Sequence, residues 1–303
     1  MQTIYMGILL AVTLFYTAIT AGNVPLEEPA YYDETVAVLL ETESGVLELS
    51  MQQYLTDVVL QEMPASFEEE ALKAQCVAAR TFTMRCMTEG GKHENADVCG
   101  SSACCQCYLE ENEGRTLYGD GYDAAREKVL LAVQATDGQV MTSGGALIEA
   151  AYFSSTGGST ESAASVWGGE VSYLKPVSSP EEPRITERSV SFGEFRQLLP
   201  SSALSAHPAG WFGEISHTEG GAVESMVIGG VRYSGTELRR IFSLKSARFT
   251  VSVTENTVEF EVTGSGHGVG MSQYGANEMA KQGCSYRQIL LHYYTGAELK
   301  ELY

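Results

Sequence analysis

The chain has 303 residues, of which 44% are hydrophobic, so it is long enough for one large domain or two modest ones with a buried core. It carries 39 acidic against 19 basic residues, which gives a net charge of −20. Because a surface that acidic repels phosphate backbones and is not drawn to anionic lipid, the composition argues against nucleic acid as a partner.

The N-terminal stretch 3–21 contains no charged side chain. In a helix, at ~1.5 Å per residue, it would span roughly a bilayer core, and we interpret residues 1–22 as an uncleaved N-terminal membrane anchor. A signal peptide cleaved near Ala21 and a buried globular helix are the alternatives, and the Lys or Arg expected at the start of an anchor or a signal peptide is absent. Residues 23–35 are predicted to be a polar tether to a part that lies outside the cytoplasm.

Two strand-like stretches occupy residues 36–49, and a first helix follows them. Ser50 with Gln53 has the pattern of a capping box, which opens a helix. Pro64 disfavours a helical conformation at the residue before it, so this helix is predicted to end at Met63.

A second helix is predicted to run to about residue 87, after a capping box of Ser66 with Glu69. Lys73 and Arg80 lie two turns apart and nearly aligned on one face, while Glu62 lies at the corner between the two helices. Taken alone, two cations on a helix are more often a solvated face, and a Glu before a Pro is ordinarily a surface residue. The stripe predicted to be buried comprises Leu72, Cys76, Ala79 and Thr83.

Possible metal ligands are dense in the stretch 93–107. Thiolate and imidazole groups suit tetrahedral zinc, and a closed structural site takes four of them, although the spacing is not that of a standard finger. Disulfide pairing is the competing interpretation for an exported protein, but seven cysteines is an odd number and adjacent cysteines cannot easily pair with each other. We favour a metal site. The candidates are His93, Cys99, Cys104, Cys105 and Cys107.

Beyond residue 120 the pattern predicts a helix at 122–135 and then a hairpin around Gly144 and Gly145, with strands in QVMT and LIEAAYF. The hairpin leads into a loop, 154–162, rich in Ser, Thr and Gly. Its hydroxyls and backbone amides suit sugar hydroxyls and acetamido groups, although composition alone favours an ordinary flexible loop.

The segment 186–262 differs in character from its surroundings, because two prolines and two glutamates at 180–183 break the pattern before it. It contains predicted helices at 192–199 and 235–241 and paired strands at 248–253 and 257–262. We therefore predict an α+β fold of mixed helices and antiparallel strands. Residues 36–185 and 263–303 are its main body, and 186–262 is an inserted subdomain.

The last segment holds a glycine-rich turn and two predicted helices. The glycines of 266–270 suggest a phosphate loop, but their spacing fails and no strand–helix unit surrounds them, so nucleotide binding is discarded. His267, between two glycines, could instead approach a ligand or a neighbouring strand closely.

Four motifs in this order resemble the stage II sporulation protein D family, which is also the family of the amidase-enhancer domain. The motifs are EMPASFEEEALKAQCVAARTF, the ligand-rich stretch HENADVC with CCQCY, YFSSTGGSTESAASVWGG and GHGVGMSQYGA, and the resemblance extends from residue 36 to the C-terminus. The family implies membrane-anchored lytic transglycosylases of peptidoglycan. They act during engulfment in sporulating cells, between the mother-cell and forespore membranes, with a cell-wall amidase and a membrane scaffold protein, on glycan strands already stripped of stem peptides.

Residue by residue, the resemblance implies that Glu62 is the catalytic acid and that a structural zinc is bound by His93, Cys99, Cys104 and Cys105, where Cys104 replaces a family His. Four ligands leave no open position for a catalytic water. The predicted substrate-binding residues are Lys73, Arg80, Ser154, Ser155, Thr156, His267, Gln273 and Tyr274.

The implied chemistry needs one carboxyl group, whereas ordinary glycoside hydrolases need two. Glu62 would protonate the glycosidic oxygen between N-acetylmuramic acid and N-acetylglucosamine and then take the proton of the muramyl C6 hydroxyl, which leaves a 1,6-anhydro end. Burial must raise the pKa of Glu62 for the first step. The alternative function is a non-catalytic peptidoglycan-binding activator of a cell-wall amidase. A zinc hydrolase is a more distant one, because it would require an open metal site near an acid.

Overall fold

A computed structural model of the chain describes residues 31–205 and 207–303. The helices are α1 (Tyr32–Thr35), α2 (Met51–Glu62), α3 (Glu69–Glu89), α4 (Glu111–Tyr118), α5 (Tyr122–Gln134), α6 (Ala163–Trp167), α7 (Phe192–Leu198), α8 (Gly235–Ile241), α9 (Gln273–Lys281) and α10 (Tyr286–Tyr293). The strands are β1 (Ala37–Thr42), β2 (Gly45–Ser50), β3 (Val98–Cys99), β4 (Gln139–Ser143), β5 (Ala146–Leu147), β6 (Tyr152–Phe153), β7 (Ile185–Ser191), β8 (Phe212–His217), β9 (Val223–Ile228), β10 (Val231–Ser234), β11 (Phe249–Val253), β12 (Thr257–Thr263), β13 (Met271–Ser272) and β14 (Glu298–Glu301).

The first helix of the corner, α2, begins and ends where the sequence predicts. The Ser50 side chain accepts a hydrogen bond from the Gln53 amide, and the Gln53 side chain accepts one from the Ser50 amide, so the capping box is formed. Met63 is extended, with φ −123° and ψ 138°, as expected of a residue before proline. Glu62 is therefore the last helical residue before a sharp change of direction.

The second helix, α3, begins differently from the prediction. Its N-cap is Glu68, whose side chain makes no capping hydrogen bond, so the predicted capping box of Ser66 with Glu69 is wrong. The Glu68 amide instead donates to the Asn277 side-chain oxygen of α9 at 2.8 Å. A tertiary contact thus satisfies a backbone donor that a local cap would have satisfied.

The main hydrophobic cluster surrounds α3. The predicted stripe of this helix is confirmed, since all four of its side chains are fully buried. Helices α2, α5, α9 and α10 and strand β4 pack against it, which burial of apolar surface stabilises. This packing fixes one side of the α2–α3 corner against the core, and Glu62 lies on the side of the corner that faces the surface.

The sheets are small and mostly antiparallel, and the predicted α+β class is confirmed. Their strand orders are β2-β1-β3, β14-β4-β5, β10-β9-β8, β11-β12-β7 and β13-β6. Two pairs, β1 with β3 and β6 with β13, are parallel. The predicted hairpin is only partly right: β4 pairs with the two-residue strand β5, whereas β6 pairs with β13, far along the chain.

A second hydrophobic cluster lies within residues 190–262 and is centred on the buried Trp211. Its ring stacks on Phe195 at 5.3 Å between centroids, and Phe195 stacks on Phe242 at 5.0 Å. Helices α7 and α8 and strands β11 and β12 occur as predicted, within one residue at each end. The boundaries of an inserted subdomain stay a prediction.

The predicted localisation requires correction. Among residues 31–205 and 207–303, no helix is both long enough and apolar enough to cross a bilayer. The segment 1–22, on which the anchor was predicted, and most of the tether lie outside the described residues. The structure gives the membrane-anchored localisation no support, and we withdraw it.

Candidate active site and metal centre

Glu62 lines a cleft of about 450 Å³ beside the α2–α3 corner. The opposite walls come from residues before and within β6, from the turn that carries His267, and from the end of α6, where Trp167 is 48% exposed. The other side chains of interest in the lining are Cys105, Gln106, Glu149, Tyr152, Phe153, Ser154 and Arg239. The cleft thus gathers residues from both halves of the chain around one acid.

The carboxyl group of Glu62 is held by two neighbours. The backbone amide of Cys107 donates to its Oε1 at 3.0 Å, and the side-chain Nε2 of Gln273 lies 3.5 Å from its Oε2. Gln273 is the first residue of α9 and is buried. A backbone donor and a buried amide therefore fix the acid in one orientation.

Burial raises the pKa of Glu62 above the ordinary value of a glutamic acid, because desolvation disfavours the charged carboxylate. Hydrogen bonds from the Cys107 amide and from the side chain of Gln273 act in the opposite direction, since they stabilise the carboxylate. Desolvation is the larger effect. Both the protonated and the ionised form are thereby supported, which a group that first gives and then accepts a proton requires.

A buried network of hydrogen bonds lies behind the wall of the cleft that carries Glu62. The Tyr152 hydroxyl donates to Gln106 Oε1 at 2.9 Å. The Gln106 Nε2 in turn donates to the Tyr54 hydroxyl at 3.3 Å and to Thr83 Oγ1 at 3.0 Å. These residues belong to β6, the ligand-rich loop, α2 and α3, and the network ties them together behind Glu62. Sequence reasoning missed it, because no local pattern links positions so far apart.

The second carboxylate in the cleft wall is Glu149. It forms an ion pair with Arg85 of α3, which also bonds Glu89 at 2.8 Å. Its negative charge is therefore matched by a guanidinium, whereas the Glu62 carboxyl contacts neutral donors. The two acids have different environments and are suited to different roles.

His267 reaches the cleft, as its position between glycines suggested. Its ring lies 5.7 Å from that of Phe153 and 5.4 Å from that of Trp167, and its Nδ1 accepts a hydrogen bond from the Val269 amide. Burial, and next the positive charge of Arg239, lower its pKa to about 4. The imidazole is therefore neutral at neutral pH.

Arg80 does not lie in the cleft, and its predicted contact with substrate is contradicted by its burial. The side chain is fully buried, and its Nε donates to both Asp33 carboxylate oxygens, at 3.0 and 2.9 Å. Its terminal nitrogens donate to the carbonyls of Gln139 and Val133. Every partner is internal, so the helix spacing that aligned Arg80 with Lys73 did not identify a substrate-binding face.

Lys73 also lies away from the cleft lining. Its Nζ pairs with Glu69 at 2.7 Å and with Glu70 at 3.0 Å on the same helix. Glu70 in turn accepts a hydrogen bond from the Tyr286 amide, the first residue of α10. These contacts join α3 to α10 and leave a role of Lys73 in substrate binding a prediction without geometric support.

Of the three substrate-binding residues predicted in the Ser/Thr/Gly loop, Ser154 is the one that lines the cleft. Ser155 is buried and exchanges backbone hydrogen bonds with Ser265. Thr156 is also buried, and its backbone amide donates a hydrogen bond to Glu181 Oε1 at 2.8 Å. Burial makes both poor candidates for contact with a sugar.

Tyr274 likewise lies elsewhere. Its ring meets Phe67 edge-on at 5.0 Å, and the Arg184 guanidinium lies 4.3 Å above it. Together these residues line a different depression, beside the start of α3.

The four predicted metal ligands lie together. One ligand atom from each of His93, Cys99, Cys104 and Cys105 falls within 4.8 Å of all the others. His93 Nε2 is 3.6 Å from Cys104 Sγ and 3.5 Å from Cys105 Sγ, and the two sulfurs are 3.9 Å apart. In a tetrahedral zinc site the same edges measure about 3.6 Å from N to S and about 3.8 Å from S to S, given Zn–N and Zn–S bonds of about 2.05 and 2.3 Å.

The donor set therefore fits a tetrahedral metal ion. His93 Nδ1 also lies 2.6 Å from Glu41 Oε2, which is the carboxylate support that metal-bound imidazoles commonly have. Cys107 is outside the cluster and meets Glu62 through its backbone. A disulfide would need sulfurs about 2.05 Å apart, and all seven cysteines are free.

Comparison with known proteins identifies relatives of this chain. A family model described as stage II sporulation protein matches residues 41–143, which include α2, α3 and the four clustered ligands. Stage II sporulation protein D of Bacillus amyloliquefaciens is 34% identical to this chain over 293 residues, covering 94% of this chain and 85% of the relative.

Two further relatives come from Bacillus subtilis (strain 168). Its stage II sporulation protein D is 34% identical over 274 residues, covering 88% of this chain and 79% of the relative. Its amidase enhancer is 29% identical over 304 residues, covering 81% of this chain and 40% of the relative.

Proposed function

Because the chain belongs to the stage II sporulation protein D family, we propose that it is a lytic transglycosylase of peptidoglycan, with Glu62 as its single acid and base. The observation that carries the proposal is the environment of Glu62. A desolvated carboxyl group with a raised pKa opens onto a cleft and is oriented by a backbone amide.

In the first step, protonated Glu62 gives its proton to the glycosidic oxygen between N-acetylmuramic acid and N-acetylglucosamine, and the bond from muramyl C1 to that oxygen breaks. Positive charge develops at C1. In the second step, the C6 hydroxyl of the same muramyl unit attacks C1, and the Glu62 carboxylate takes its proton. The product is a 1,6-anhydro end, no water is consumed, and Glu62 returns to its protonated form.

Hydrolysis would need a second carboxyl group in reach of the same bond, as an acid or base partner or as a nucleophile. Glu149 is the carboxylate in the cleft wall that could serve, and its ion pair with Arg85 favours a fixed charge over proton exchange. The pairing supports the one-carboxyl chemistry, and it also identifies the residue to replace if the products prove to be hydrolytic.

We further propose that His93, Cys99, Cys104 and Cys105 hold a zinc ion. Four protein ligands leave no open position for a catalytic water, so the bound metal would supply structural restraint to the loop. The residues that gain from this restraint are Gln106 and Cys107, which follow Cys105 directly and contact Tyr152 and Glu62.

The cellular role we propose is cleavage of glycan strands during sporulation, after an amidase has removed the stem peptides. The similarity to an amidase enhancer supports a link to a cell-wall amidase. It also favours a second candidate function, in which the protein binds peptidoglycan and stimulates the amidase without cleaving glycan itself.

The test is mass spectrometry of peptide-free glycan strands incubated with the purified full chain and zinc. We expect anhydromuramyl ends from the wild type and a loss of at least about 100-fold in rate from Glu62→Gln, the usual scale of general acid–base catalysis. Glu68→Gln removes an exposed carboxylate from the same corner and is the matched control.

Other products would redirect the assignment. Reducing ends that disappear in Glu149→Gln would establish two-carboxyl hydrolysis. No cleavage by the folded, zinc-loaded protein, together with faster stem-peptide release by an added amidase, would favour the non-catalytic activator.

A further inference from the structure

Arg239 is a cation in the Glu62 cleft, and none of the described carboxylates pairs with it. It lies on α8, in the stretch of residues 190–262 that holds the second hydrophobic cluster. Together with Glu62 and His267, it lines the cleft. Across residues 31–205 and 207–303, no carboxylate lies within ion-pair distance of its guanidinium, which also donates no hydrogen bond. Burial alone lowers its pKa, whereas a carboxylate partner would raise it.

The other half-buried or buried arginines of the molecule behave differently. Arg80 pairs with Asp33, Arg85 with Glu149, Arg126 with Asp57 and Arg248, at 3.7 Å, with Glu161. In a chain of net charge −20, acidic partners are abundant. A guanidinium that is partly desolvated without one loses hydration and gains nothing in return from the protein. Such a group is suited to an anion that arrives with a ligand.

The cleft also excludes other sources of positive charge. Arg239 is the one Lys or Arg among the described lining residues, and the neighbouring His267 is neutral at neutral pH. The exposed ring of Trp167 lines the same cleft and lies 5.4 Å from that of His267, and an exposed aromatic ring suits the apolar face of a sugar. The surroundings of Arg239 therefore fit one acidic group on a carbohydrate.

The glycan strand of peptidoglycan offers such a group at one position. The muramyl unit carries a lactyl carboxyl, which is an uncharged amide while the stem peptide is attached and becomes a carboxylate after hydrolysis of that amide. A guanidinium can donate two parallel hydrogen bonds to a carboxylate, and an amide cannot accept them in this charge-assisted form.

We propose that Arg239 binds the free lactyl carboxylate of the N-acetylmuramic acid unit in the cleft and so selects glycan strands whose stem peptides have been removed. The inference rests on the proposed function for the identity of the substrate. The proposed function already includes a preference for stripped strands; the inference assigns that preference to Arg239, because removal of the stem peptide creates the charge that Arg239 recognises.

The test measures binding separately from cleavage. The Glu62→Gln full chain is titrated with two probes, peptide-free glycan strands with free lactyl carboxylates and the same strands after conversion of these carboxylates to neutral carboxamides. We expect the free-acid strands to bind more tightly. Adding Arg239→Gln should weaken their binding about 10- to 100-fold, the range for hydrogen bonds to charged groups, and leave carboxamide binding unchanged.

Two further variants make the result specific. Arg240→Gln removes an exposed charge from the next position of the same helix and should leave both affinities unchanged. Arg239→Lys keeps the charge without the planar fork and should recover part of the loss on the free-acid strands, which also covers a Gln variant that folds poorly. Urea unfolding midpoints of the variants provide the check on folding.

Equal losses on both probes, or no loss on either, would overturn the role of Arg239, as would no binding of free-acid strands at all. The proposed function fails in a distinguishable way. A wild-type protein that prefers free-acid strands through Arg239 but generates no anhydromuramyl ends would refute the transglycosylase and leave the carboxylate site standing.

Discussion

Replacing Arg80 is predicted to damage stability and not substrate binding. Arg80 and Asp33 are 0% and 1% exposed, and the guanidinium also serves the carbonyls of Gln139 and Val133. Arg80→Met keeps the volume but leaves the Asp33 charge buried without its partner. Removal of one member of a buried pair costs about 3–5 kcal/mol, and we expect a loss of that size in the free energy of unfolding.

Urea unfolding followed by tryptophan fluorescence and circular dichroism measures this loss. With an m-value of ~3 kcal/mol per molar, the midpoint of Arg80→Met should fall by about 1–1.7 M. Lys73→Met is the matched control on the same helix, because Lys73 forms partly exposed pairs with Glu69 and Glu70 that are worth about 1 kcal/mol or less. The double variant Asp33→Leu with Arg80→Met should recover most of the stability, since it removes both charges.

A different outcome would refute this reasoning. If Arg80→Met kept the wild-type midpoint and instead raised the KM for glycan strands tenfold or more, the guanidinium would have to reach substrate in solution. An unrecovered double variant would show that the carbonyl contacts, and not the charge of Asp33, dominate the loss.

Two further predictions concern the acid and the metal site. Gln273→Leu removes a donor that lowers the pKa of Glu62, so the pKa should rise further. Because the protonated acid is lost as pH rises through this pKa, the alkaline limb of kcat/KM should move to higher pH, and a move to lower pH would contradict the assignment. Glu41→Gln weakens the support of His93 and should lower zinc affinity about 10- to 100-fold in competition with a chromophoric chelator, whereas an unchanged affinity would show that the contact does not act on the metal.

Local sequence patterns correctly predicted those elements whose ends are fixed by contacts between residues close in sequence. The capping box at Ser50 and the stop before Pro64 involve residues three positions apart or fewer, and both are confirmed. The cap at Ser66 failed because the α3 amide of Glu68 donates instead to Asn277, which lies 209 positions beyond Glu68. The predicted hairpin of QVMT with LIEAAYF was only partly right for the same reason: β6 pairs with the distant β13, and nothing in two short strands indicates which distant partner they select.

The same difference between local and distant contacts separates the site residues that the sequence located from those that it missed or misplaced. The four candidate metal ligands are close in sequence, and their residue types and the resemblance located a cluster that the geometry brings together. Helical spacing aligned Arg80 with Lys73 but carried no information on Asp33, 47 positions away. Arg239 gave no signal, because a single arginine in a short amphipathic helix is typical of a surface.

One short loop connects Glu62 to the ligand cluster, and this connection explains how a closed metal site could affect the glycan chemistry. Three consecutive residues join them: Cys105 belongs to the cluster, Gln106 holds Tyr152, and the Cys107 amide holds Glu62. Because α2 ends at Glu62, two residues before Pro64, Glu62 lies at the cleft, but the end of the helix alone leaves its carboxyl free to rotate. The loop supplies the fixed donor. A metal that never touches substrate would therefore still determine the direction in which Glu62 gives and takes its proton.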